Sequence, residues 1–245
     1  MNAMKDRVVV VTGASRGIGR AASLALSRAG AVVVGVARAR AALDELQAAA
    51  GDHGGRIETL AIELSDASGA AQLADHVARR YGRLDGLFGN AGVLGPKEPI
   101  GALSPETWAE VVDVNLSANF RLLHHLDPLL RASDAGRALF VTSGVAWKRY
   151  ANWAPYAVTK AALEALVSVY AAEVSGTAVR ANLISPGPIR TDLRAEAWPG
   201  EDPATVPTPE DLAPAIVDLL SPSFTENGII YDWKERAVTR HRPPA

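Results

Sequence analysis

The sequence predicts a doubly wound parallel α/β sheet with helices on both faces. Short apolar runs rich in β-branched residues alternate with longer helical patterns, and a glycine-rich turn directly follows the first apolar run. Runs that are apolar on both faces are typical of parallel strands covered by helices on each side. No linker or internal repeat interrupts the alternation, so we expect residues 1–245 to form one domain.

Six apolar runs are the candidate strands, at residues 7–12, 31–37, 57–63, 84–90, 138–143 and 179–185. Five segments between them are the candidate helices, at residues 17–29, 41–50, 67–81, 105–131 and 155–174. Ser104 and Pro105 mark one helix start, because Ser is a preferred N-cap and Pro is tolerated at the first helical position. Gly30 and Gly82 stand where helices should end.

Composition excludes several classes of function. The 25 Lys and Arg against 27 Asp and Glu give a net charge of −2, which does not favour nucleic acid or an anionic membrane as partner. The absence of cysteine excludes disulfides, thiolate zinc sites and cysteine nucleophiles. Neither a signal-peptide core nor a run of roughly 20 apolar residues is present, so we expect a cytoplasmic protein. His124 and His125 lack a third ligand at metal spacing, and no metal is expected.

A glycine-rich turn, T-G-A-S-R-G-I-G at residues 12–19, joins the first strand to the first helix. Glycines there allow a tight reversal and the close approach of a ligand pyrophosphate, and the free N–H groups at a helix start favour an anion. The turn predicts dinucleotide binding; the alternative is a glycine-rich turn without a ligand. The candidate binding residues in it are Gly13, Ser15, Arg16, Gly17, Ile18 and Gly19.

The end of the second strand indicates which dinucleotide binds. A carboxylate there would bind the ribose hydroxyls and select NAD, but this chain has Ala37 followed by Arg38. A guanidinium suits a 2′-phosphate because it forms bidentate charge-assisted hydrogen bonds, and Arg16 is a second nearby cation. We therefore expect NADP(H) rather than NAD(H), although Arg38 and Arg40 could also be solvated cations at a helix start.

A phenol and an ammonium lie four residues apart in the predicted helix 155–174. Tyr156 and Lys160 should share one helix face, and the cation should hold the pKa of Tyr156 below its usual value of about 10. A tyrosine of that kind can act as a general acid or base. Ser143 ends a predicted strand, at the rim where ligands bind in such sheets.

These segments together resemble the short-chain dehydrogenase/reductase family, whose members are single-domain oxidoreductases with a Rossmann fold. The matching segments occur in family order: the turn at residues 12–19, Asn90-Ala91-Gly92, Asn115 within residues 114–117, Ser143 ahead of Tyr156 and Lys160, and P-G-P-I-R-T at residues 186–191. They cover about residues 7–193. Agreement of all of them by accident is far less expected than a glycine-rich turn alone.

The resemblance implies hydride transfer between NADP(H) and a secondary alcohol or carbonyl. Tyr156 would exchange a proton with the substrate oxygen, Ser143 would orient that oxygen, and Lys160 would hold the nicotinamide ribose. Asn115 would bend its helix and hold a water of a proton relay. The resemblance assigns the remaining cofactor contacts to Glu63, Leu64, Asn90, Ala91, Gly92, Pro186, Gly187, Ile189 and Thr191, with Glu63 standing where the family often has Asp.

The loops bordering the expected substrate site carry Leu94, Trp147, Tyr150, Trp153 and Trp198. Aromatic residues beside a catalytic centre favour an apolar or aromatic substrate, which a loop at about residues 192–207 would cover. The alternative is that these rings pack a subunit interface or the loop itself.

The C-terminal part departs from the family pattern. Residues 227–233 lack the Gly-Gly turn through which family members often join subunits, so a homodimer through the helices of Asn115 and Tyr156 is expected and a tetramer is uncertain. The tail at residues 236–245 should fray. Three alternatives remain: an NAD-preferring dehydrogenase, a non-catalytic NADP(H)-binding sensor, and a methyltransferase, which has no use for Tyr156 and Lys160.

Overall fold

A single sheet carries the strands of the computed structural model, which describes residues 4–51, 55–148 and 150–240. The strands are β1 (Val8–Thr12), β2 (Val32–Ala37), β3 (Arg56–Ala61), β4 (Gly86–Gly89), β5 (Arg137–Val141), β6 (Arg180–Ser185), β7 (Ile229–Asp232) and β8 (Ala237–Arg240). They lie in the order β3-β2-β1-β4-β5-β6-β7-β8; β1 to β7 are parallel and β8 is antiparallel to β7. The predicted fold class is confirmed.

Four of the five predicted helices begin and end within two residues of the predicted positions, the fifth is divided, and three further helices of the described residues were not predicted. The helices that cover the sheet are α1 (Gly17–Arg28), α2 (Arg40–Gly51), α3 (Gly69–Tyr81), α4 (Pro105–Val112), α5 (Ala118–Arg131), α6 (Val145–Lys148), α7 (Ala154–Glu173), α8 (Asp192–Ala197) and α9 (Pro209–Leu220). Ser104 accepts a hydrogen bond from the Thr107 N–H at 3.1 Å, as its predicted N-cap role requires. Gly82 ends α3 in the left-handed region, with a φ of 71°. Among the described helices, none has the length and apolarity needed to cross a bilayer.

The two faces of the sheet support two separate cores. Val8 and Val10 of β1 belong to the core formed with α3, α5 and α7, whereas Val9 and Val11 belong to the core formed with α1, α2 and α9. Successive side chains of a strand point to opposite faces, so burial on both faces requires an uninterrupted apolar run. This explains the V-V-V-V sequence of β1. Because β1 to β7 are parallel, their carboxyl ends lie along one edge of the sheet.

One predicted helix is divided in the structure. Residues 105–131 form α4, a π-helical segment at Asp113–Ser117, and α5. The π turn contains Asn115, which is fully buried, and it re-aims that side chain toward the carboxyl end of β4. The bend that the family resemblance implies at Asn115 therefore occurs as a single wide turn.

The C-terminal strands lie outside the six predicted ones. The expectation that residues 236–245 fray is wrong for residues 237–240, which pair with β7 as β8; residues 241–245 lie outside the described part of the chain. Arg236 makes the connecting turn with a φ of 51°, and its guanidinium lies 4.5 Å from the centre of the Trp233 ring. A strand of four residues is too short for the alternation of apolar and polar residues to identify it in the sequence. The strand at residues 237–240 is therefore determined by its pairing with β7 and by this turn.

Candidate active site

A cleft of about 1070 Å³ runs along the carboxyl ends of the parallel strands, where ligands bind in open α/β sheets. The predicted site residues in its lining are Gly13, Ser15, Arg16, Gly17, Ile18, Arg38, Glu63, Leu64, Asn90, Ala91, Gly92, Leu94, Ser143, Trp153, Tyr156, Lys160, Pro186, Gly187, Ile189, Thr191 and Trp198. Four predicted residues do not line it: Gly19, Asn115, Trp147 and Tyr150. The structure therefore brings the two halves of the predicted site into one continuous cleft.

The glycine-rich turn forms a cradle of bare backbone at one end of the cleft. Gly17 has a φ of 53°, and a Cβ there would lie 3.2 Å from the Thr191 methyl group on the opposite wall. A Cβ on Gly19 would clash with the Gly13 carbonyl oxygen. No side chain caps the start of α1 and its first turn has no acidic residue, so its N–H groups fit the pyrophosphate of a dinucleotide.

Asn90 holds this turn to the end of β4. Its side-chain amide donates to the Thr12 carbonyl at 2.9 Å, and its backbone N–H donates to Thr12 Oγ1 at 2.9 Å. The Ala91 N–H donates to the same hydroxyl at 3.0 Å. The Asn90-Ala91-Gly92 segment thus positions the cradle through Thr12 as well as lining the cleft.

Both arginines predicted to bind a 2′-phosphate form exposed ion pairs. Arg38 lies 3.5 Å from Glu63, and Arg16 lies 2.9 Å from Asp192 at the start of α8. The arginine side chains are 67% and 74% exposed, so each pair contributes at most about 1 kcal/mol. A phosphate dianion at the same place would compete well for either guanidinium.

The residues predicted to take part in proton transfer meet at the other end of the cleft. Ser143 follows β5 by two residues, while Tyr156 lies in the first turn of α7 and Lys160 one turn later. Lys160 Nζ donates to the Val141 carbonyl at 2.8 Å and lies 5.6 Å from the centre of the Tyr156 ring. The helix face shared by Tyr156 and Lys160 therefore turns toward the end of β5.

Burial controls the protonation of both groups. It raises the pKa of the Tyr156 phenol to about 12, although a hydrogen bond with Ser143 acts in the opposite direction. Burial also lowers the pKa of the Lys160 ammonium to about 8, against the charge of Glu164. The prediction that Tyr156 titrates below its usual value is wrong here, because the effect of lost hydration on the pKa outweighs that of the Ser143 hydrogen bond.

Asn115 connects the β4 loop to α7. Its Oδ1 accepts from the Val93 N–H at 2.9 Å, and its amide donates to the Val93 carbonyl at 2.9 Å and to Thr159 Oγ1 at 3.1 Å. A Cβ on Gly92 would lie 3.2 Å from Asn115 Oδ1 and 3.6 Å from Lys160 Nζ. Asn115 thus lies directly behind the cleft wall and braces it.

A buried carboxylate that was not predicted lies behind Lys160. Glu164 is 1% exposed and accepts hydrogen bonds from Thr142 Oγ1 at 2.5 Å and from Trp147 Nε1 at 2.7 Å. Trp147, which was predicted to line the substrate pocket, makes this bond and does not line the cleft. The Lys160–Glu164 spacing of four residues on an apolar helix was a signal that could have found it.

The aromatic residues form one cluster above Tyr156. The Trp153 ring centre lies 6.4 Å from that of Tyr156 and 5.5 Å from that of Trp198. The Tyr150 ring contacts Trp198 edge-on, with 6.2 Å between the ring centres, and Tyr150 does not line the cleft. Leu94 is buried in the same cluster. The chain thus places apolar surface directly beside the phenol.

Lys97 joins this cluster without any signal in the sequence. Its ammonium donates to the Ala197 carbonyl at 2.6 Å, at the C-terminal end of α8, and lies 5.6 Å and 6.0 Å from the Trp153 and Trp198 ring centres. The contact joins segments about a hundred residues apart, so only the fold reveals it. It ties the loop predicted to cover the substrate to the loop after β4.

Known proteins resemble this chain over most of its length. A family model described as short chain dehydrogenase matches residues 7–202. The uncharacterized oxidoreductase YciK of Escherichia coli (strain K12) is 38% identical over 233 residues, 94% of this chain and 92% of that protein. Benzil reductase ((S)-benzoin forming) of Saccharomyces cerevisiae is 32% identical over 197 residues, 78% of this chain and 74% of that protein. A structure from Escherichia coli CFT073, solved in complex with NADPH, has a TM-score of 0.88 at 37% identity, over 94% of this chain and 98% of that one.

Proposed function

Because the chain belongs to the short chain dehydrogenase family and is an oxidoreductase, we propose that it uses NADP(H) to interconvert a carbonyl and a secondary alcohol. The observation that carries the proposal is the meeting of Ser143, Tyr156 and Lys160 at one end of a cleft whose other end is a bare glycine cradle. The bound cofactor supplies the hydride. The protein supplies binding, orientation and the proton.

The choice of NADP(H) is supported by the charge beside the second strand. Arg38 and Arg16 both line the cleft, and Ala37 occupies the position at which a carboxylate would select NAD. Their present carboxylate partners are exposed and weakly held, so both guanidinium groups are free to turn to a 2′-phosphate. The related structure solved with NADPH adds support from a chain that is 37% identical.

The protonation of Tyr156 favours the reductive direction. With a pKa of about 12, the phenol keeps its proton at neutral pH and can donate it to a carbonyl oxygen. The Ser143 hydroxyl would hydrogen-bond the same oxygen and fix its position. As the proton leaves, the Lys160 ammonium 5.6 Å from the ring stabilises the developing phenolate.

We assign an apolar or aromatic carbonyl compound as the substrate class. Leu94, Trp153 and Trp198 line the cleft beside Tyr156, and aromatic rings pack well against other rings. A relative that is 32% identical is named as a benzil reductase, which agrees with a diaryl substrate. In this proposal residues 1–245 act as one domain, and α8 with the segment after it forms a small cover over the substrate.

A substrate panel tests the proposal. NADPH absorbance is followed with benzil, acetophenone and an aliphatic ketone, and we expect the two aromatic compounds to be reduced fastest. Tyr156→Phe should lower turnover by about 10²-fold or more while the Kd for NADPH, measured by fluorescence, stays near the wild-type value, because only the proton donor is removed.

Tyr150→Phe is the matched control, since Tyr150 lies in the aromatic cluster but outside the cleft lining. It should keep both turnover and NADPH binding. Undiminished turnover in Tyr156→Phe would overturn the assigned chemistry. NADPH binding without any reduction across the panel would favour a nucleotide-binding sensor instead.

A further inference from the structure

We propose that Glu164 is a positioning residue of this active site: its buried carboxylate holds the segment that carries Ser143 and keeps the Lys160 ammonium charged. The inference rests on the proposed function, in which Ser143 and Lys160 act directly on substrate and cofactor. Glu164 lies outside the motifs that support the family assignment, and it acts through its neighbours rather than on the reacting atoms.

Glu164 accepts hydrogen bonds from both sides of the turn that follows β5. Thr142 Oγ1 donates to Oε1 at 2.5 Å, and Trp147 Nε1 donates to Oε2 at 2.7 Å. The indole N–H can only donate, so the oxygen it meets must accept. A carboxylate that is 1% exposed would otherwise be costly to bury, and these charge-assisted bonds offset the lost hydration.

The first bond positions Ser143. Thr142 is buried, lies between the end of β5 and Ser143, and its own N–H donates to the Ile184 carbonyl at 2.9 Å. Thr142, the residue before Ser143, is therefore bonded to the backbone of β6 through its N–H and to Glu164 of α7 through its hydroxyl. Because Trp147 follows Ser143 by four residues, the carboxylate holds both sides of the turn that presents the serine.

The second effect is electrostatic. Lys160 and Glu164 are one turn apart on α7, and Lys160 is 3% exposed. Burial favours the neutral amine, and the Glu164 charge opposes it. Among the described residues, Tyr156 on the same helix is a further ionisable group beside Lys160, its ring centre 5.6 Å from Lys160 Nζ. Thr142 and Ser143 on the strand side are neutral.

The charge of Lys160 sets an upper limit to the pH at which the site can work. A neutral Lys160 could neither stabilise a phenolate nor attract the cofactor, so function is lost as the pH rises through the pKa of Lys160, which is about 8. Removing the negative charge of Glu164 lowers that pKa, because the ammonium loses its compensating partner. The limit should then move toward lower pH.

The charge effect is measured without cofactor. The chain has five lysines, so a sample labelled with 13C at lysine Cε gives a simple NMR titration in which Lys160 is assigned with a Lys160→Met sample. We expect Glu164→Gln to lower the pKa of Lys160 by about one unit. Glu173→Gln removes a charge from the exposed end of the same helix and should leave the Lys160 titration unchanged.

Glu164→Asp keeps the charge and should restore the Lys160 titration to near its wild-type position. If Lys160 titrates at the same pH in Glu164→Gln and wild type, the electrostatic part of the proposal is refuted. This titration does not depend on turnover, so a wild-type protein inactive on every carbonyl would contradict the proposed function and leave this result standing.

The positioning effect has its own variant. Thr142→Val removes one hydrogen bond and retains the charge, so we expect kcat/KM for the carbonyl to fall about tenfold while the Kd for NADPH and the Lys160 titration stay the same. Wild-type kcat/KM in Thr142→Val would overturn the proposal, and this holds even if Glu164→Gln fails to fold.

Discussion

Tyr156 and Lys160 place opposite demands on their surroundings. Burial favours the neutral form of each, which keeps the Tyr156 proton in place for donation but works against the Lys160 ammonium. A site that needs a neutral phenol and a charged lysine in one dry cavity therefore needs a further negative group. In our proposal Glu164 supplies that charge, while its carboxylate oxygens accept hydrogen bonds from Thr142 and Trp147.

In our proposal, Arg38 is the residue on which the choice between NADPH and NADH depends. Arg38→Ala should raise the Kd for NADPH about 10- to 100-fold, because a charge-assisted bidentate pair contributes roughly 1.5–3 kcal/mol. The Kd for NADH, which has no 2′-phosphate, should change little. Fluorescence titration with both cofactors measures the two values on one protein.

Arg40→Ala is the control for this change, since Arg40 is an exposed cation two residues further along, at the start of α2. It should leave both affinities unchanged. An equal loss of NADPH affinity in the two variants would mean that general positive charge, and not Arg38, attracts the cofactor.

Among single residues, the sequence was informative about position and uninformative about burial. The four-residue spacing predicted that Tyr156 and Lys160 share a helix face, and they do. The direction of the Tyr156 pKa depends on α7 packing against the end of β5, which no local pattern records. Lys97 escaped prediction for the same reason, because its partners on α8 and at Trp153 are distant in sequence.

At the scale of elements, the proposed cover over the substrate is α8 with the segment that follows it. Its attachments within the described chain include the Lys97 bond to the Ala197 carbonyl at 2.6 Å and the Arg194–Glu201 ion pair within the cover itself. Arg194 also lies over the Trp198 ring at 5.2 Å. Arg194 thus stabilises the cover by contacts within it, and Lys97 connects the cover to the loop after β4 by a hydrogen bond.

Lys97→Met should loosen this cover. The methionine keeps an unbranched chain but loses both the hydrogen bond and the attraction to the Trp153 and Trp198 rings, together worth about 1–2 kcal/mol. We expect KM for the carbonyl to rise about 5- to 30-fold, with little change in the Kd for NADPH. Steady-state kinetics gives the first value, and altered tryptophan fluorescence should accompany it.

Lys5→Met is the matched control, because Lys5 is exposed and lies near the opposite, amino-terminal edge of the sheet. Its kinetics and fluorescence should equal those of wild type. If Lys97→Met raised the Kd for NADPH and left KM for the carbonyl alone, the cover would belong to the cofactor end of the cleft.

For the whole molecule, the features carried by local patterns were predictable. The valines of β1 required burial on two faces, and this with the strand–helix alternation gave the parallel sheet and its two helical layers. The π turn at Asp113–Ser117 and the β7–β8 hairpin were not predictable, since each depends on a partner that is distant in sequence. The π turn depends on the hydrogen bond between Val93 and Asn115, and the hairpin depends on the pairing of β7 with β6.

The outer faces of α5 and α7 carry apolar side chains that neither core uses. Phe120, Val158 and Val169 are 55%, 48% and 58% exposed. We propose that these helices form the interface of a homodimer. This interface does not involve the C-terminal segment, where the chain lacks a Gly-Gly turn. Because α7 also carries Tyr156 and Lys160, such an interface would support the active-site helix from outside.

Val169→Glu tests this assembly at a point more than three helical turns from Tyr156 on α7. A carboxylate buried at an interface without a partner costs roughly 3 kcal/mol or more, so the dimer dissociation constant should rise about 100-fold or more. Sedimentation velocity measures it at micromolar concentration. Val238→Glu, on the exposed strand β8, introduces the same charge at 49% exposure and should remain dimeric. A monomeric wild type would refute the homodimer, and a dimer disrupted only by Val238→Glu would place the interface elsewhere.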